Sequence, residues 1–310
     1  MTVALSVVTA TRNRAPVLAR CLDAILAQDL DPARYEVLVA DDASTDETQE
    51  VIDRARRRAR CAIRCTRMSD RSGVPATRNA AIRTAEGEIV VFVDDDAMAP
   101  PQFLGVHLDA HTSHPEGIVC RGPVIVVHDL DRAFDARGGI LDISTAYFDT
   151  DNGSVRRRHL LEVGLFDEAF FPYGWEGLDL GIRLRRLGLR RVFRRTAPLY
   201  HYHPEVSRDA LEGMLIKEEE RARTAKIFYA KHPTLESRFA LQLTPLHLLL
   251  NELQRGFGLV NASNVERLVD RMRRWRLPGV GRVLLTGVLN ERYLARLMAA
   301  PDSTERASDG

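Results

Sequence analysis

Residues 88–96 read EIVVFVDDD, and this stretch decides the fold of the 310-residue chain. Its apolar, β-branched half predicts a buried strand that ends at Asp94, Asp95 and Asp96. Acids at a strand end face a crevice, because open α/β sheets bind ligands beyond the carboxyl ends of their strands. Three crowded carboxylates repel one another unless a divalent cation joins them, and oxygen ligands suit Mg²⁺ or Mn²⁺. The alternative interpretation is a solvated acidic turn that caps the next helix.

Strand and helix signals alternate on the N-terminal side of this stretch. Apolar strands and helices with one apolar face are predicted over residues 5–9, 17–25, 36–40, 44–55, 61–66 and 76–84. The alternation predicts an α/β fold in which helices flank a mostly parallel sheet. Asp41 and Asp42 close the second strand, and two acidic strand ends in one parallel sheet converge on one crevice.

The pattern changes after residue 101. Residues 117–127 look like a strand, residues 178–187 look helical, and residues 190–202 hold one or two short strands. From residue 205 onward the sequence is typical of helices, punctuated by proline and glycine. We therefore predict three regions, which are a first domain at 1–204, a helical region at 205–300 and a disordered tail at 301–310.

The composition favours a soluble globular protein, with 45% hydrophobic and 28% charged residues and a formal net charge of +1. No stretch is continuously basic and aromatic, so no nucleic-acid partner is expected. The four cysteines lack the spacing of zinc ligands and are interpreted as free thiols in a reducing compartment. The sequence shows neither a signal peptide nor an apolar run of about 20 residues. These observations predict a cytoplasmic location.

A series of short motifs, in the same order along the chain, resembles the inverting GT-A glycosyltransferases of family 2. The motifs are TATRNR at 9–14, DDASTD at 41–46, GVPATRN at 73–79, FVDDD at 92–96, NGSVRR at 152–157 followed by VGLFDE at 163–168, WEGLDLGIRL at 175–184 and HYH at 201–203. Each motif is weak alone, and their order makes the resemblance specific. The resemblance covers about residues 1–204 and implies a GT-A (Rossmann-like) catalytic domain. It also implies transfer of a sugar, with inversion, from a nucleotide-diphosphate donor.

The resemblance assigns residues to three groups. The donor-binding group, for which a UDP-sugar is the expected donor, is Thr9, Arg12, Asp41, Arg78, Asp94 and Asp95. The metal-binding group, which implies Mn²⁺ or Mg²⁺ as cofactor, is Asp96, His201 and His203. The acceptor side, which receives a hydroxyl of a glycan, a lipid-linked molecule or a small molecule, includes Asn152 and Trp175.

Other interpretations of these residues stay open on the sequence alone. Arg78 could equally be an exposed helix residue, and Arg12 could be an exposed loop charge. His201 and His203 could lie in a polar surface loop. Trp175 could pack in the core instead of stacking on a sugar. Asp95 is expected to have a mainly structural role within the donor side.

Gly177 departs from the pattern of the family that the chain resembles. In that pattern this position is the general base that an inverting transferase needs, and glycine can do no acid–base work. Three explanations stay open on the sequence: Glu176 serves as the base, Asp179 turns inward and serves instead, or there is no base and the enzyme retains configuration or is inactive. We favour Glu176, because an apolar neighbour such as Trp175 raises the pKa of a carboxylate toward the range that is useful for base catalysis. Asp179 lies where Arg183, four residues on, would form a helix ion pair.

Two other classes of function compete with transfer. A nucleotidyltransferase also uses a metal and phosphates, but it would be expected to carry a Gly-rich loop after the first strand, and residues 9–14 contain no glycine. A non-catalytic homologue that binds a sugar nucleotide or a glycan is compatible with Gly177. The helical region has three candidate uses, which are packing on the first domain, homodimerisation and peripheral docking on the cytosolic face of a membrane. The last use is suggested by the amphipathic pattern at 221–231.

Overall fold

The computed structural model describes residues 2–136, 146–203 and 208–299. The chain divides into two compact units, of which the first holds residues 1–172 and 176–204 and the second holds residues 173–175 and 205–310. We call them the sheet unit and the helical unit. That residues 1–204 form the catalytic domain stays a prediction, and the predicted tail at 301–310 lies outside the described residues.

The described residues of the sheet unit contain ten strands, which form two sheets. In chain order they are β1 (Leu5–Thr11), β2 (Tyr35–Asp41), β3 (Ala62–Arg67), β4 (Ile89–Val93), β5 (Ala97–Met98), β6 (Ile118–Arg121), β7 (Val124–Val127), β8 (Asn152–Arg156), β9 (Arg190–Phe193) and β10 (Leu199–Tyr202). The larger sheet has the order β3-β2-β1-β4-β8-β6-β9, and the smaller has the order β5-β10-β7. In the larger sheet only β8 runs antiparallel to its neighbours. The predicted α/β fold with a mostly parallel sheet is therefore confirmed.

The structure divides the single strand predicted over residues 117–127. Ile118–Arg121 joins the larger sheet and Val124–Val127 joins the smaller one. Gly122 and Pro123 lie between them, and proline has no N–H to continue a ladder. A methyl group at Gly122 would come 1.9 Å from the carbonyl oxygen of Ala197, so the chain can change sheets here only with glycine.

The part of the sheet unit that the structure describes has six α-helices, namely α1 (Ala15–Leu26), α2 (Thr48–Arg58), α3 (Gly73–Thr84), α4 (Phe103–Thr112), α5 (Arg157–Glu162) and α6 (Glu176–Arg186). Strand β4 shows why the core has two layers, because successive strand residues point to opposite faces. Val91 packs in the layer that includes Leu18 and Val51, and Phe92 packs in the layer that includes Ile82 and Leu184.

Helix α3 begins three residues before the predicted start at residue 76. Gly73 opens it with a φ of +81°, a conformation that favours glycine. The Asp42 carboxylate accepts hydrogen bonds from the backbone N–H groups of Ser72 and Gly73 at 2.6 and 3.2 Å. Asp42 thus fixes the start of α3 from the end of β2.

The helical unit contains α7 (Arg208–Lys231), α8 (Leu235–Ala240), α9 (Pro245–Gln254), α10 (Val265–Arg274) and α11 (Pro278–Met298). Its core is small and centres on Leu211, Val260, Val265 and Val288. Among the helices that the structure describes, none combines the length and the apolar character needed to cross a lipid bilayer.

Replacement of Gly153 by alanine is expected to destabilise the sheet unit. Gly153 pairs with Phe92 across the β4–β8 ladder, and a methyl group there would come 2.1 Å from the carbonyl oxygen of Asp149. The backbone would have to shift, so the free energy of unfolding should fall by about 2–3 kcal/mol. Urea denaturation measures the change. The matched control is Gly105→Ala in α4, where nothing lies within 4 Å of the added methyl group. There the free energy of unfolding should rise by about 0.5–1 kcal/mol. Equal denaturation midpoints for the two variants would contradict the prediction.

Candidate active site

Strand register brings four charged side chains to the carboxyl end of β4. Val93 pairs with Asn152, so the residues that follow and precede them, Asp94 and Asp151, come next to one another. His201 pairs with Ala97 in the smaller sheet, which places it beside Asp96. Like charges opposite each other on neighbouring strands are destabilising, so this edge of the sheet requires cations.

Asp94, Asp96 and His201 can hold a metal ion, since one ligand atom from each lies within 4.8 Å of the others. His201 Nε2 lies 2.9 Å from Asp96 Oδ1, and its Nδ1 lies 3.4 Å from Asp151 Oδ2. Two carboxylates and one imidazole suit Mn²⁺, and Mg²⁺ is compatible with the carboxylates. The donor set therefore fits the divalent cation that the sequence predicts.

His203 lies beside this group and is not one of the three ligands. Its ring centroid is 4.8 Å from that of His201, and its backbone carbonyl accepts a hydrogen bond from His128 Nδ1 at 2.8 Å. Asp94, which the sequence predicts for donor binding, is also one of the three residues that could hold a metal. The geometry thus favours His201 over His203 as the histidine ligand.

Two arginines bind the acid triplet from opposite sides. Arg14 donates to Asp95 Oδ1 at 2.7 Å and to Asp96 Oδ2 at 2.6 Å. Arg78 is buried and donates to Asp94 Oδ1 at 2.7 Å, while its other terminal nitrogen lies 3.5 Å from Glu176 Oε1. Arg78 is therefore not an exposed helix residue, and it connects the triplet to the start of α6.

Burial shifts the acid–base properties of the first two triplet residues. It raises the pKa of Asp94 to about 7, an effect that the charge of Asp151 increases and the charge of Arg78 opposes. It also raises the pKa of Asp95 to about 6, against the opposing charge of Arg14. Both carboxylates thus carry their negative charge at a cost, which an added cation would reduce.

The pKa values of Asp96 and His201 shift in the directions that keep both side chains charged. Burial would raise the pKa of Asp96, but the bonds from His201 and Arg14 lower it well below its usual range. Burial would lower the pKa of His201, but its contacts with Asp151 and Asp96 raise it to about 11. The space between Asp96 and Asp151 is therefore a place where positive charge is strongly favoured.

The remaining donor-side candidates line the ends of β1 and β2. Thr9 is fully buried, and its hydroxyl has no hydrogen-bond partner among the described residues. Arg12 donates to the backbone carbonyl of Asp42, which braces the turn after β2. Asp41 is buried and accepts from Gln49 Nε2 at 2.6 Å and from the Ser44 N–H at 2.9 Å. Of these residues, Thr9 has the clearest unused polar group.

The two acceptor-side candidates are engaged in the fold. Asn152 is buried, and its Nδ2 donates to the carbonyls of Pro123 and Ala197 at 3.0 and 2.9 Å. Trp175 belongs to the helical unit, where its ring stacks on Phe228 with centroids 5.6 Å apart. Its Nε1 donates to the backbone carbonyl of Arg221 at 2.8 Å. These contacts favour the packing interpretation of Trp175.

The carboxylates around Gly177 differ in their partners. Asp179 is fully buried, and Arg183 holds its Oδ2 with two nitrogens, at 2.9 and 2.7 Å. The same guanidinium donates to the carbonyls of Val163 and Leu165, so this pair fixes the turn after α5. Glu176, in contrast, lies beside Arg78 on the side of the acid triplet. A methyl group at Gly177 would lie 3.3 Å from Thr150 Cγ2, which leaves little room there.

Sequence reasoning missed Arg14 and Asp151. Arg14 is part of the TATRNR motif, but the resemblance favours Arg12 for the donor side, and strand spacing alone does not distinguish the two. Asp151 directly precedes the NGSVRR motif and follows Asp149, so an acidic pair before a strand was a visible signal. Its position next to Asp94 depends on the antiparallel register of β8, which the sequence pattern does not reveal.

Solved structures of glycosyltransferases share this architecture. A mannosyltransferase, PcManGT from Pyrobaculum calidifontis in complex with GDP-Man and Mn²⁺, matches with a TM-score of 0.62 at 19% identity, over 95% of this chain and 88% of that one. S. aureus TarS 1-349 in complex with UDP-GlcNAc matches with a TM-score of 0.56 at 18% identity, over 94% of this chain and 92% of that one. The sheet order and these matches define a protein of the GT-A fold.

The family follows from the sequence. A model of the family described as Glycosyl transferase family 2 matches residues 6–161, half of the chain, and the chain belongs to this family. The resemblance carried by the motifs is thereby confirmed.

Curated relatives are longer than the matched region. An uncharacterized glycosyltransferase, YfnE, of Bacillus subtilis (strain 168) is 26% identical over 257 residues, which cover 64% of this chain. Validoxylamine A glucosyltransferase of Streptomyces hygroscopicus subsp. limoneus is 28% identical over 267 residues, which cover 74% of this chain. The chain spans 65% and 57% of the lengths of these two relatives.

Proposed function

We propose that this protein transfers a sugar, with inversion, from a nucleoside-diphosphate sugar to an acceptor hydroxyl, and that the transfer requires a divalent cation. The observation that carries the proposal is the group formed by Asp94, Asp96 and His201 at the carboxyl end of β4. Family membership supports the reaction class. The names of the relatives and the ligands of the solved structures make UDP- and GDP-sugars the first donors to test.

On the donor side, Asp94, Asp96 and His201 would hold Mn²⁺ or Mg²⁺. The cation, when bound, supplies positive charge that stabilises the departing nucleoside diphosphate. Arg14 keeps Asp95 and Asp96 in place through its two hydrogen bonds. The unused hydroxyl of Thr9 supports a role in donor binding at the end of β1.

On the acceptor side, Glu176 would take the proton. As the acceptor oxygen forms its bond to the anomeric carbon, the bond from that carbon to the diphosphate oxygen breaks, and the hydroxyl proton passes to the Glu176 carboxylate. Two observations support this assignment: Glu176 opens α6 beside Arg78, whereas Asp179 is held by Arg183. Attack from the face opposite the leaving group would invert the configuration.

A donor screen tests the proposed function. We expect one class among UDP-, GDP- and dTDP-sugars to raise the melting temperature only when Mn²⁺ or Mg²⁺ is present. At a hundredfold excess of donor over its dissociation constant, the stabilisation should be about 2–3 kcal/mol. Slow release of the nucleoside diphosphate from the same donor should also depend on the cation.

Each other outcome has a definite meaning. Equal stabilisation in the presence of a chelator would refute the metal requirement. Metal-dependent donor binding without release of nucleoside diphosphate, with any acceptor tried, would identify a non-catalytic sugar-nucleotide-binding homologue, for which Gly177 is the supporting observation. Stabilisation by nucleoside triphosphates alone would favour a nucleotidyltransferase.

A further inference from the structure

Helix α9 turns its apolar residues outward. Leu246, Leu249, Leu250 and Leu253 follow the i, i+3, i+4, i+7 spacing of one helix face, and all four are exposed. A leucine stripe with this spacing is normally buried against a neighbouring element. On α9 the stripe faces away from the small core of the helical unit.

The exposed apolar surface continues beyond α9. In the connection to α10, Phe257 is 72% exposed and Leu259 is 79% exposed. At the turn between α10 and α11, Trp275 is 63% exposed, and three aliphatic residues near it in sequence are also exposed, namely Leu277, Val280 and Val283. So many exposed apolar side chains within about 40 residues are typical of an interaction surface.

Arginines accompany these apolar residues. Between residues 255 and 282 the sequence contains seven arginines and two acids, Glu266 and Asp270. Six of the arginines are exposed, namely Arg267, Arg271, Arg273, Arg274, Arg276 and Arg282. The Arg271 guanidinium lies 5.9 Å from the centre of the Trp275 ring. Helices α9 and α10 both pack against α11. The exposed residues of α9, of α10 and of the first turns of α11 thus combine positive charge with apolar side chains, and together we call them the docking face.

The segment at 221–231, which the sequence indicated as amphipathic, has a different role. Phe228 is buried under Trp175, and the Arg221 guanidinium lies over the rings of Trp175 and Tyr293, at 5.4 and 4.6 Å from their centres. Phe228 and Arg221 are thus used inside the helical unit, whereas the leucine stripe and Trp275 are exposed on α9 and after α10.

We propose that the docking face binds the surface of an anionic lipid bilayer. Leucine, phenylalanine and tryptophan side chains enter the boundary between headgroups and acyl chains, and arginines beside them bind lipid phosphates. A second copy of the chain fits less well, because a twofold contact presents the same patch on both sides and would bring the same arginines together. The proposal goes beyond sugar transfer and requires neither donor nor metal.

Co-sedimentation of the full chain with lipid vesicles tests this proposal. We expect binding to phosphatidylcholine vesicles that contain phosphatidylglycerol, little binding to phosphatidylcholine alone, and weaker binding as salt is raised. Trp275 should report the contact directly, through a blue shift of its fluorescence on addition of the anionic vesicles. The shift should be absent in Trp275→Phe, since the one other tryptophan, Trp175, packs within the helical unit.

Surface variants separate the two parts of the docking face. Arg273→Glu with Arg274→Glu should weaken binding to anionic vesicles by at least about tenfold. Leu253→Gln with Leu259→Gln should weaken it by a similar factor through the loss of apolar burial. The matched control is Arg57→Glu with Arg60→Glu, the same change of charge at exposed positions of the sheet unit, which should bind as the unchanged protein does.

Three results would overturn the proposal. The first is the absence of vesicle binding. The second is equal loss of binding in the Arg57/Arg60 control, which would indicate a non-specific charge effect. The third is a concentration-dependent dimer that Leu253→Gln with Leu259→Gln abolishes in the absence of lipid, because the docking face would then be an interface between two copies. Vesicle binding is measured without donor or metal, so its failure is distinguishable from failure of the proposed function.

Discussion

Replacement of Asp96 by asparagine is expected to lower Mn²⁺-dependent transfer by about 10³-fold, because a ligand that stabilises the leaving group is lost. Asp96 offers one of the three candidate ligand atoms, and its Oδ2 accepts a hydrogen bond from Arg14. Asparagine keeps the size of the side chain, so the change removes charge with little change of packing. Titration of Mn²⁺ by calorimetry or electron paramagnetic resonance should show weaker binding even without donor.

Asp95→Asn is the matched control for this prediction. Asp95 is the neighbouring acid, but it is bound by Thr11 and Arg14 and lies outside the ligand group. Its replacement should leave the Mn²⁺ affinity within about tenfold of the original value, since it acts on the ligands through Arg14. Unchanged Mn²⁺ dependence in Asp96→Asn, or equal losses of Mn²⁺ affinity in both variants, would contradict the assignment.

Replacement of Glu176 by glutamine is the second large effect that we expect. Loss of a general base should lower kcat by about 10²–10⁴-fold. Glutamine can still pack beside Arg78, so the variant should fold, and circular dichroism can verify this. Steady-state kinetics with a fixed donor and a varied acceptor measures the loss, which should appear in kcat and much less in KM for the donor.

Asp179→Asn discriminates between the two candidate bases. Asp179 is bound by Arg183, which also holds the backbone at Val163 and Leu165, so its replacement should lower the melting temperature and leave most of kcat. If Asp179→Asn folds and loses kcat while Glu176→Gln keeps it, the assignment must be reversed. Normal turnover in both variants would favour a mechanism without either base.

The alternation of strands and helices made the fold and half of the site predictable. Apolar runs that end in acids identified the strand ends at Asp41 and Asp94, and parallel strands necessarily bring such ends to one edge. Asp151 and His201 lie beside them for another reason. Strand β8 pairs antiparallel with β4, and β10 pairs antiparallel with β5. The hydrophobic pattern of a strand fixes which face is buried, but it does not identify the distant segment with which the strand pairs.

Trp175 and the leucines of α9 illustrate a second limit. A tryptophan beside a motif and an apolar stripe on a helix both predict burial or binding, but the pattern does not identify the partner. The structure places Trp175 against Phe228 inside the helical unit, and it leaves Leu249 and Leu253 in solvent. Which apolar faces meet is decided by the whole set of helices, and so it is not encoded in any one of them.

Arg78 contacts both Asp94 and Glu176, the carboxylates to which we assign different parts of the reaction. One buried guanidinium pairs with Asp94, which we assign to the donor side, and with Glu176, which we assign to the acceptor side. Neutralising either carboxylate leaves the arginine more strongly attracted to the other, so the effects of changing both should not add. We therefore expect the two halves of the proposed site to be coupled in energy through this side chain, so that binding of a donor would change the environment of Glu176, the proposed base.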